Sequence, residues 1–244
     1  MSVSIVIPAL NEERYLPRLL ESLKMYEKPL EIIVVDGMSD DDTQGVVKRF
    51  AKAAPKRLTV RLLTTDVRNV SVQRNRGAEA ATGETIIFFD ADSAIPSGAR
   101  LQKLIDTFHR KGYGAATCRF VPIEGGLRAH VYYTFLWLFH ASLALWNPYA
   151  IGAFMITTRK TMDAVGGFDP TIRICEDAEF AARARTVGGF AAMPYALLTS
   201  ARRFEKHGYV RMGLTYIWIV IRRSMFGEIR DNRIAYEFGH YHRP

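Results

Sequence analysis

The run Thr85-Ile86-Ile87-Phe88-Phe89 ends in Asp90-Ala91-Asp92. Side chains two apart on an extended chain point the same way, so Asp90 and Asp92 present their carboxylates together. Such a pair can share a hard divalent cation, or divide between a cation and another ligand. The plainer alternative is a pair of solvated turn residues, or helix caps ahead of Ser97. Position brings the two readings level, and the rest of the chain decides between them. A continuous apolar run bounded by Thr82-Gly83 and by Ser93 to Pro96 reads as a strand of a parallel sheet buried on both faces. Open α/β sheets bind ligands at the carboxyl edge of such strands. Polar groups recur at two comparable places, Pro8 to Glu12 and Asp36 to Ser39. Each set alone is ordinary turn chemistry. Together the three read as a nucleotide pocket at one crevice.

The elements that must position these groups follow in alternation. Residues 3–8 form a first strand, with Asn11-Glu12 as the cap of a helix carrying Leu16, Leu19, Leu20 and Leu23. A second strand spans 31–35, followed by a helix with Val46, Val47 and Phe50 on its apolar side. A third strand spans 58–63, a helix 72–81 and a fourth strand 85–89. Leu101, Leu104, Ile105 and Phe108 mark a further amphipathic helix. This alternation implies βαβ units and a mainly parallel sheet flanked by helices, a mixed α/β fold. The second half is less regular, with a strand at 152–158, a turn at 166–170, a helix opened by Glu176-Asp177 and a short strand at 191–193. No G-x-G-x-x-G follows the first strand and no G-x-x-x-x-G-K-[ST] occurs, which disfavours dinucleotide-binding and P-loop folds.

At 244 residues the chain suffices for one large core or two merged halves. The expected division is two halves that share one sheet, 1–115 and 116–227, and a polar tail at 228–244 that contains His240 and His242 and is a candidate lid. A formal charge of +8 and a pI near 9.6 favour anionic partners. The excess gathers late, around Arg202, Arg203, Lys206, Arg211, Arg222 and Arg223. Cys118 and Cys175 have no metal-ligand spacing and read as packing residues of a reduced, cytoplasmic protein. No signal peptide is expected at the N-terminus. The stretches 131–146 and 209–226 approach membrane segments, but His140 interrupts the first and three arginines the second. Met212, Leu214, Ile217, Trp218 and Ile221 mix with these arginines as in an interfacial helix, which would suit peripheral attachment at the inner membrane face; a core helix or a homodimer surface is the alternative.

Six blocks, in order, resemble the signature of the family 2 glycosyltransferases. They are Pro8-Ala9-x-Asn11-Glu12, Val35-Asp36-Gly37-x-Ser39-x-Asp41-x-Thr43, Arg74-Asn75-x-Gly77, Ala81-x-Gly83 with Phe89-Asp90-x-Asp92-x-x-x-Pro96, Gly166-Gly167-Phe168-Asp169, and Glu176-Asp177-x-Glu179-Phe180-x-x-Arg183. The resemblance implies an A-type glycosyltransferase fold, a nucleotide-diphosphate sugar donor, a divalent metal (Mg²⁺ or Mn²⁺) and, usually, inversion at the anomeric carbon. It implies that Pro8, Ala9, Glu12 and Asp36 line the base and ribose, that Arg74 lies near a phosphate or the sugar, and that Asp90 faces the ribose or sugar. Asp92 would ligate the metal, Asp177 would be the general base, and Arg202 and Arg203 would hold the leaving diphosphate, with His207 as a further metal ligand or phosphate contact. Ser200 and Phe204 depart from the Gln and Trp of processive synthases, so polymer synthesis is not inferred.

The residue types suit that chemistry. Negative charge grows on the diphosphate as the sugar bond breaks, and a metal and fixed arginines stabilise it. The attacking hydroxyl needs a carboxylate within hydrogen-bond reach, and a helix start favours the ionised form of Asp177. Glu176 and Glu179 are equally readable as helix-face charges. Three alternatives stay open: a nucleotidyltransferase, although Pro8 to Arg14 lacks the glycines of its first loop; a retaining transferase; and a non-catalytic sugar-nucleotide or membrane-surface scaffold. Nucleic-acid binding is not expected, because a diphosphate and lipid headgroups account for the basic residues.

Overall fold

The computed structural model describes residues 2–143 and 152–231. Strands β1 (Val3–Ala9), β2 (Leu30–Asp36), β3 (Leu58–Thr64) and β4 (Thr85–Phe89) alternate with helices α1 (Leu16–Leu23), α2 (Thr43–Ala53) and α3 (Val70–Ala80). The four strands pair in parallel in the order β3-β2-β1-β4. Every residue of β1 and β4 is buried, which is why these strands read as unbroken apolar runs rather than as alternating ones. Ile5 and Ile7 face one hydrophobic core, shared with the leucines of α1, while Val6 faces a second core on the other side of the sheet.

The rest of the chain extends the same sheet. β5 (Ser93–Ala94), α4 (Gly98–Lys111), β6 (Ala115–Pro122), α5 (Gly126–Leu143), β7 (Phe154–Thr158), α6 (Arg159–Val165), α7 (Glu176–Gly188), β8 (Phe190–Thr199), α8 (Arg202–His207) and α9 (Tyr209–Phe226) follow in order. β7 lies antiparallel to β4, β6 antiparallel to β7, and β8 parallel to β6, giving β3-β2-β1-β4-β7-β6-β8-β5. One mixed sheet, mostly parallel and flanked by helices, therefore runs through both halves.

Several local expectations are corrected. Asn11-Glu12 does not cap α1: the cap position is Tyr15, without a side-chain bond, and the Glu12 carbonyl accepts from the Tyr15 and Leu16 amides at 3.1 and 2.9 Å. Asn11 instead sits at φ 57°, which frees its side chain for another loop. α3 starts earlier than expected because the Asn69 side chain accepts from the Val72 amide. β8 is ten residues long rather than three. Its register against β6 shifts between Cys118 and Arg119, leaving Pro194 and Tyr195 as extra residues, the bulge setting in which a strand tolerates proline. The start of the tail is anchored, since Ile229 is fully buried and bridges Ile174. Trp146, His240 and His242 lie outside the described residues.

Candidate active site

The loop after β1 is held by the loop after β2. Asn11 and Glu12 amides donate to the Ser39 and Thr43 hydroxyls at 2.9 and 2.8 Å, and the Glu13 amide donates to Asp41 at 3.1 Å. The Asp40 amide returns a bond to Asn11 Oδ1 at 2.7 Å. Ser39, Asp41 and Thr43 thus brace the segment that carries Glu12. Asp36 lies beneath them, fully buried, and accepts from Gln44 Nε2 at 2.8 Å. It does not line the cavity described next.

A cavity of about 410 Å³ opens at the carboxyl ends of β1 and β4, lined by Pro8, Ala9, Glu12, Arg74, Asp90, Asp92, Asp177, Arg202 and Arg203 among others. At one side Arg202 forks onto Glu12 (2.5 and 3.0 Å) and reaches Asp92 through Nε at 3.1 Å. Its guanidinium also lies 4.2 Å from the Tyr15 ring centroid. Burial opposes the Arg202 charge, but Asp92 and Glu12 more than offset it, so its pKa lies above the ordinary arginine value. Arg203 donates to the Tyr216 hydroxyl.

Across the cavity, Arg74 is the centre of a buried network. It donates to Glu176 at 2.7 Å, to Asp90 at 3.3 Å and to the Gly152 carbonyl at 3.2 Å. Its guanidinium faces Phe168 at 5.3 Å, and Phe168 in turn stacks on Phe180 at 4.4 Å. Asn75 clamps the Phe168 backbone through both its amide and carbonyl, at 2.8 and 2.7 Å. Arg183 binds Glu179 and the Gly167 carbonyl. These contacts seat the start of α7 against α3. Cys175, at φ 67°, turns the chain so that Glu176 and Asp177 follow at the cavity wall. Burial, then the charge of Glu176, pushes Asp177 up to about 7 against the pull of Arg74.

The chain thus brings together nine of the expected site residues and leaves two out. Besides Asp36, His207 ends α8 and does not line the cavity. Glu176, ambiguous in the sequence, is a buried partner of Arg74. Gln73, which no motif singled out, bonds the Ala9 and Val35 carbonyls at 2.8 Å each and ties α3 to both strand ends. Its position directly before Arg74 was the only signal for it. Tyr133, Leu136 and Trp137 of α5 also line the cavity, and the sequence marked their stretch, 131–146, only for its apolar character.

Among the described residues no group of three His, Cys, Asp or Glu side chains forms a closed metal site. Asp90 and Asp92 still fit a hard divalent cation. Such a cation is often held by one or two carboxylates, with substrate phosphates and water completing its shell.

Known proteins share this sequence and architecture. The 4,4'-diaponeurosporenoate glycosyltransferase of Staphylococcus haemolyticus is 29% identical over 124 residues, covering 46% of this chain and 30% of that protein. The dolichyl N-acetyl-alpha-D-glucosaminyl phosphate 3-beta-D-2,3-diacetamido-2,3-dideoxy-beta-D-glucuronosyltransferase of Methanococcus voltae is 32% identical over 111 residues, 44% of this chain and 34% of that protein. The matches therefore span about a third of these relatives' lengths. A mannosyltransferase from Pyrobaculum calidifontis, solved with GDP-Man and Mn²⁺, superposes with a TM-score of 0.70 at 22% identity, over 90% of this chain and 60% of that one. That likeness establishes the A-type fold. The family model for glycosyl transferase family 2 matches residues 4–171, most of the chain, and with the fold and the cavity in agreement this protein belongs to that family.

Proposed function

We propose that this protein transfers a sugar from a nucleotide-diphosphate donor to an acceptor hydroxyl or phosphate, with inversion at the anomeric carbon. The observation that carries the proposal is the single cavity in which Asp90 and Asp92 share walls with Asp177 and with Arg202 and Arg203. Residues 1–115 hold the donor, and 116–227 supply the base and the acceptor side. Pro8, Ala9 and Glu12 flank the nucleoside, and Asp90 takes the ribose or sugar. Arg74 acts on the donor through Asp90, which it orients from below. Asp92, with Asp90, would hold Mg²⁺ or Mn²⁺. When bound, the cation neutralises charge on the diphosphate oxygens.

In the displacement, Asp177 accepts the proton of the acceptor hydroxyl as its oxygen bonds to the anomeric carbon. The bond from that carbon to the diphosphate breaks and its electron pair leaves with the diphosphate. Arg202 and Arg203 receive the growing negative charge, a task suited to their planar donor forks. A carboxylate pushed up to about 7 is a base matched to neutral pH. The acceptor is proposed to be lipid-linked, in keeping with the dolichyl phosphate in the name of the Methanococcus voltae relative.

The test is a thermal-shift panel of UDP, GDP, CDP and dTDP, each with and without Mn²⁺, followed by transfer assays with the matching sugar nucleotide. A ligand that binds only the folded state raises its stability by mass action. One nucleotide is expected to stabilise the protein in a metal-dependent way, and Asp177→Asn to keep that binding while losing transfer by about 10²–10⁴-fold. A non-catalytic scaffold would leave both unchanged, and that result would refute the proposal.

A further inference from the structure

Two neighbouring helices wall the cavity from within and expose apolar stripes on their outer sides. On α5, Tyr133, Leu136 and Trp137 face the cavity, while Leu127, Val131, Phe135 and Leu138 are exposed, Phe135 at 60%. Their spacing of four, four and three residues is one face of a helix. On α9, Tyr216 and Ile219 face the cavity, while Val210, Leu214, Ile217, Trp218, Ile221 and Met225 are exposed, Leu214 at 64% and Trp218 at 55%. They too fall on one helical stripe. The helices touch through Tyr132, whose ring lies 5.2 Å from that of Tyr209 and whose hydroxyl sits 3.1 Å from the place a Cβ on Gly213 would take.

An ordinary globular helix has a polar outer face, and these two do not. Surface apolar residues scattered singly need no explanation, but contiguous stripes mark an interaction site. Charge selects the partner. Neither α5 nor α9 contains an Asp or Glu. Arg128 and Arg211, each exposed, directly follow the first apolar residue of its stripe. A second copy of the same surface would bring these cations together with no acid on either helix to pair them. An anionic lipid surface accepts both the cations and the apolar side chains, with Trp218 placed as interfacial tryptophans are.

We infer that the outer faces of α5 and α9 form a membrane-docking surface for anionic lipid. No helix among the described residues is long and apolar enough to cross a membrane, so the attachment lies in the interface plane. One helix diameter, about 10 Å, separates the lipid from the cavity. A lipid-borne acceptor would thus meet the site without leaving the bilayer. That last consequence rests on the proposed lipid-linked acceptor; docking itself does not.

The experiment is flotation of the full chain with vesicles of phosphatidylcholine alone and of equal parts phosphatidylcholine and phosphatidylglycerol, without any sugar nucleotide. Binding is expected to the anionic vesicles and to weaken as salt is raised. Leu214→Glu and Phe135→Glu are each expected to weaken it by about tenfold or more, the effect of losing one buried large apolar side chain, with melting temperature and nucleotide binding unchanged. Should either variant fail to fold, the blue shift of tryptophan emission on vesicle addition provides the second readout, and Trp218→Phe is expected to reduce it. No binding to either vesicle overturns the inference, as does binding that both variants leave intact. A dimer in sedimentation velocity that the same variants dissolve, without vesicle binding, also overturns it in favour of a second copy. Nucleotide stabilisation reads the donor site separately, so failure of one experiment leaves the other standing.

Discussion

Replacing the proposed base should make the protein more stable, and by an amount that depends on pH. Asp177 is pushed from its ordinary 3.8 up to about 7, first by burial and then by the charge of Glu176. A carboxyl whose folded-state pKa is raised contributes fully to stability below 3.8 and loses that contribution as pH rises towards 7, because the unfolded chain ionises it first. At about 1.4 kcal/mol per pH unit, the whole interval has a ceiling of roughly 4 kcal/mol. Asparagine keeps the shape and the half-buried setting on the cavity wall but cannot ionise, so Asp177→Asn escapes the loss. The variant should melt near the wild type at pH 4 and progressively above it up to pH 7, with a constant gap beyond. For a chain of this size each kcal/mol moves the melting temperature by about 2–4 °C; half the ceiling is then roughly 4–8 °C at pH 8. Differential scanning calorimetry at pH 4, 6 and 8 measures it. A variant that melts at or below the wild type at pH 8, or whose advantage shrinks as pH rises, would refute the assigned burial of an ionised Asp177.

Two further substitutions test the surrounding framework. Glu176→Gln removes the negative charge that is the second cause of the raised Asp177 value and leaves Arg74 less neutralised, and both changes favour ionised Asp177. The acid limb of the kcat/KM profile should therefore move to lower pH; an unmoved or raised limb separates Glu176 from the base. Gly77→Ala places a Cβ 2.2 Å from Val6 Cγ1 where α3 crosses β1. Overpacking of that kind costs about 1–3 kcal/mol, and adding Val6→Ala should restore part of the lost melting temperature if this contact is the cause.

The first half of the chain was legible because its signals are local. β4 matched its expected bounds because four consecutive apolar residues, Ile86 to Phe89, end sharply at Asp90, and α1 followed from leucines at helical spacing. β6 was missed because Ala115, Ala116, Thr117 and Cys118 carry little apolar volume, and the strand exists through its pairing with β8. β8 was truncated at Pro194, since the bulge that accommodates the proline depends on a partner strand far away in sequence. At the site, residue types were legible and their division of labour was not. Ser39, Asp41 and Thr43 stand in one motif block with no sign of their purpose, which is to brace the Glu12 loop. Glu176 looks like a helix-face charge, yet it pairs with Arg74, 102 positions away in the chain. Spacing within one segment cannot report a partner at that distance.

The two arginine systems of the site are built for different tasks. Arg74 has a side chain only 3% exposed and is fixed by Glu176, Asp90 and the Gly152 carbonyl. Removing a partner from such a buried pair costs about 3–5 kcal/mol, so Arg74 keeps its place and transmits the position of α7 to Asp90. Arg202 is more open, at 13%, and its partners Glu12 and Asp92 both line the cavity. On the proposed function, Arg202 would gain a phosphate of the donor, and Asp92 would turn from Arg202 to help hold a divalent cation that offsets diphosphate charge. Each charge that loses a partner finds a new one of the same sign, so the exchange carries no uncompensated buried charge. Before the donor arrives, Arg202 keeps Asp92 neutralised; afterwards the same guanidinium faces the group on which negative charge develops. One fixed arginine sets the geometry, and the exchangeable one follows the charge.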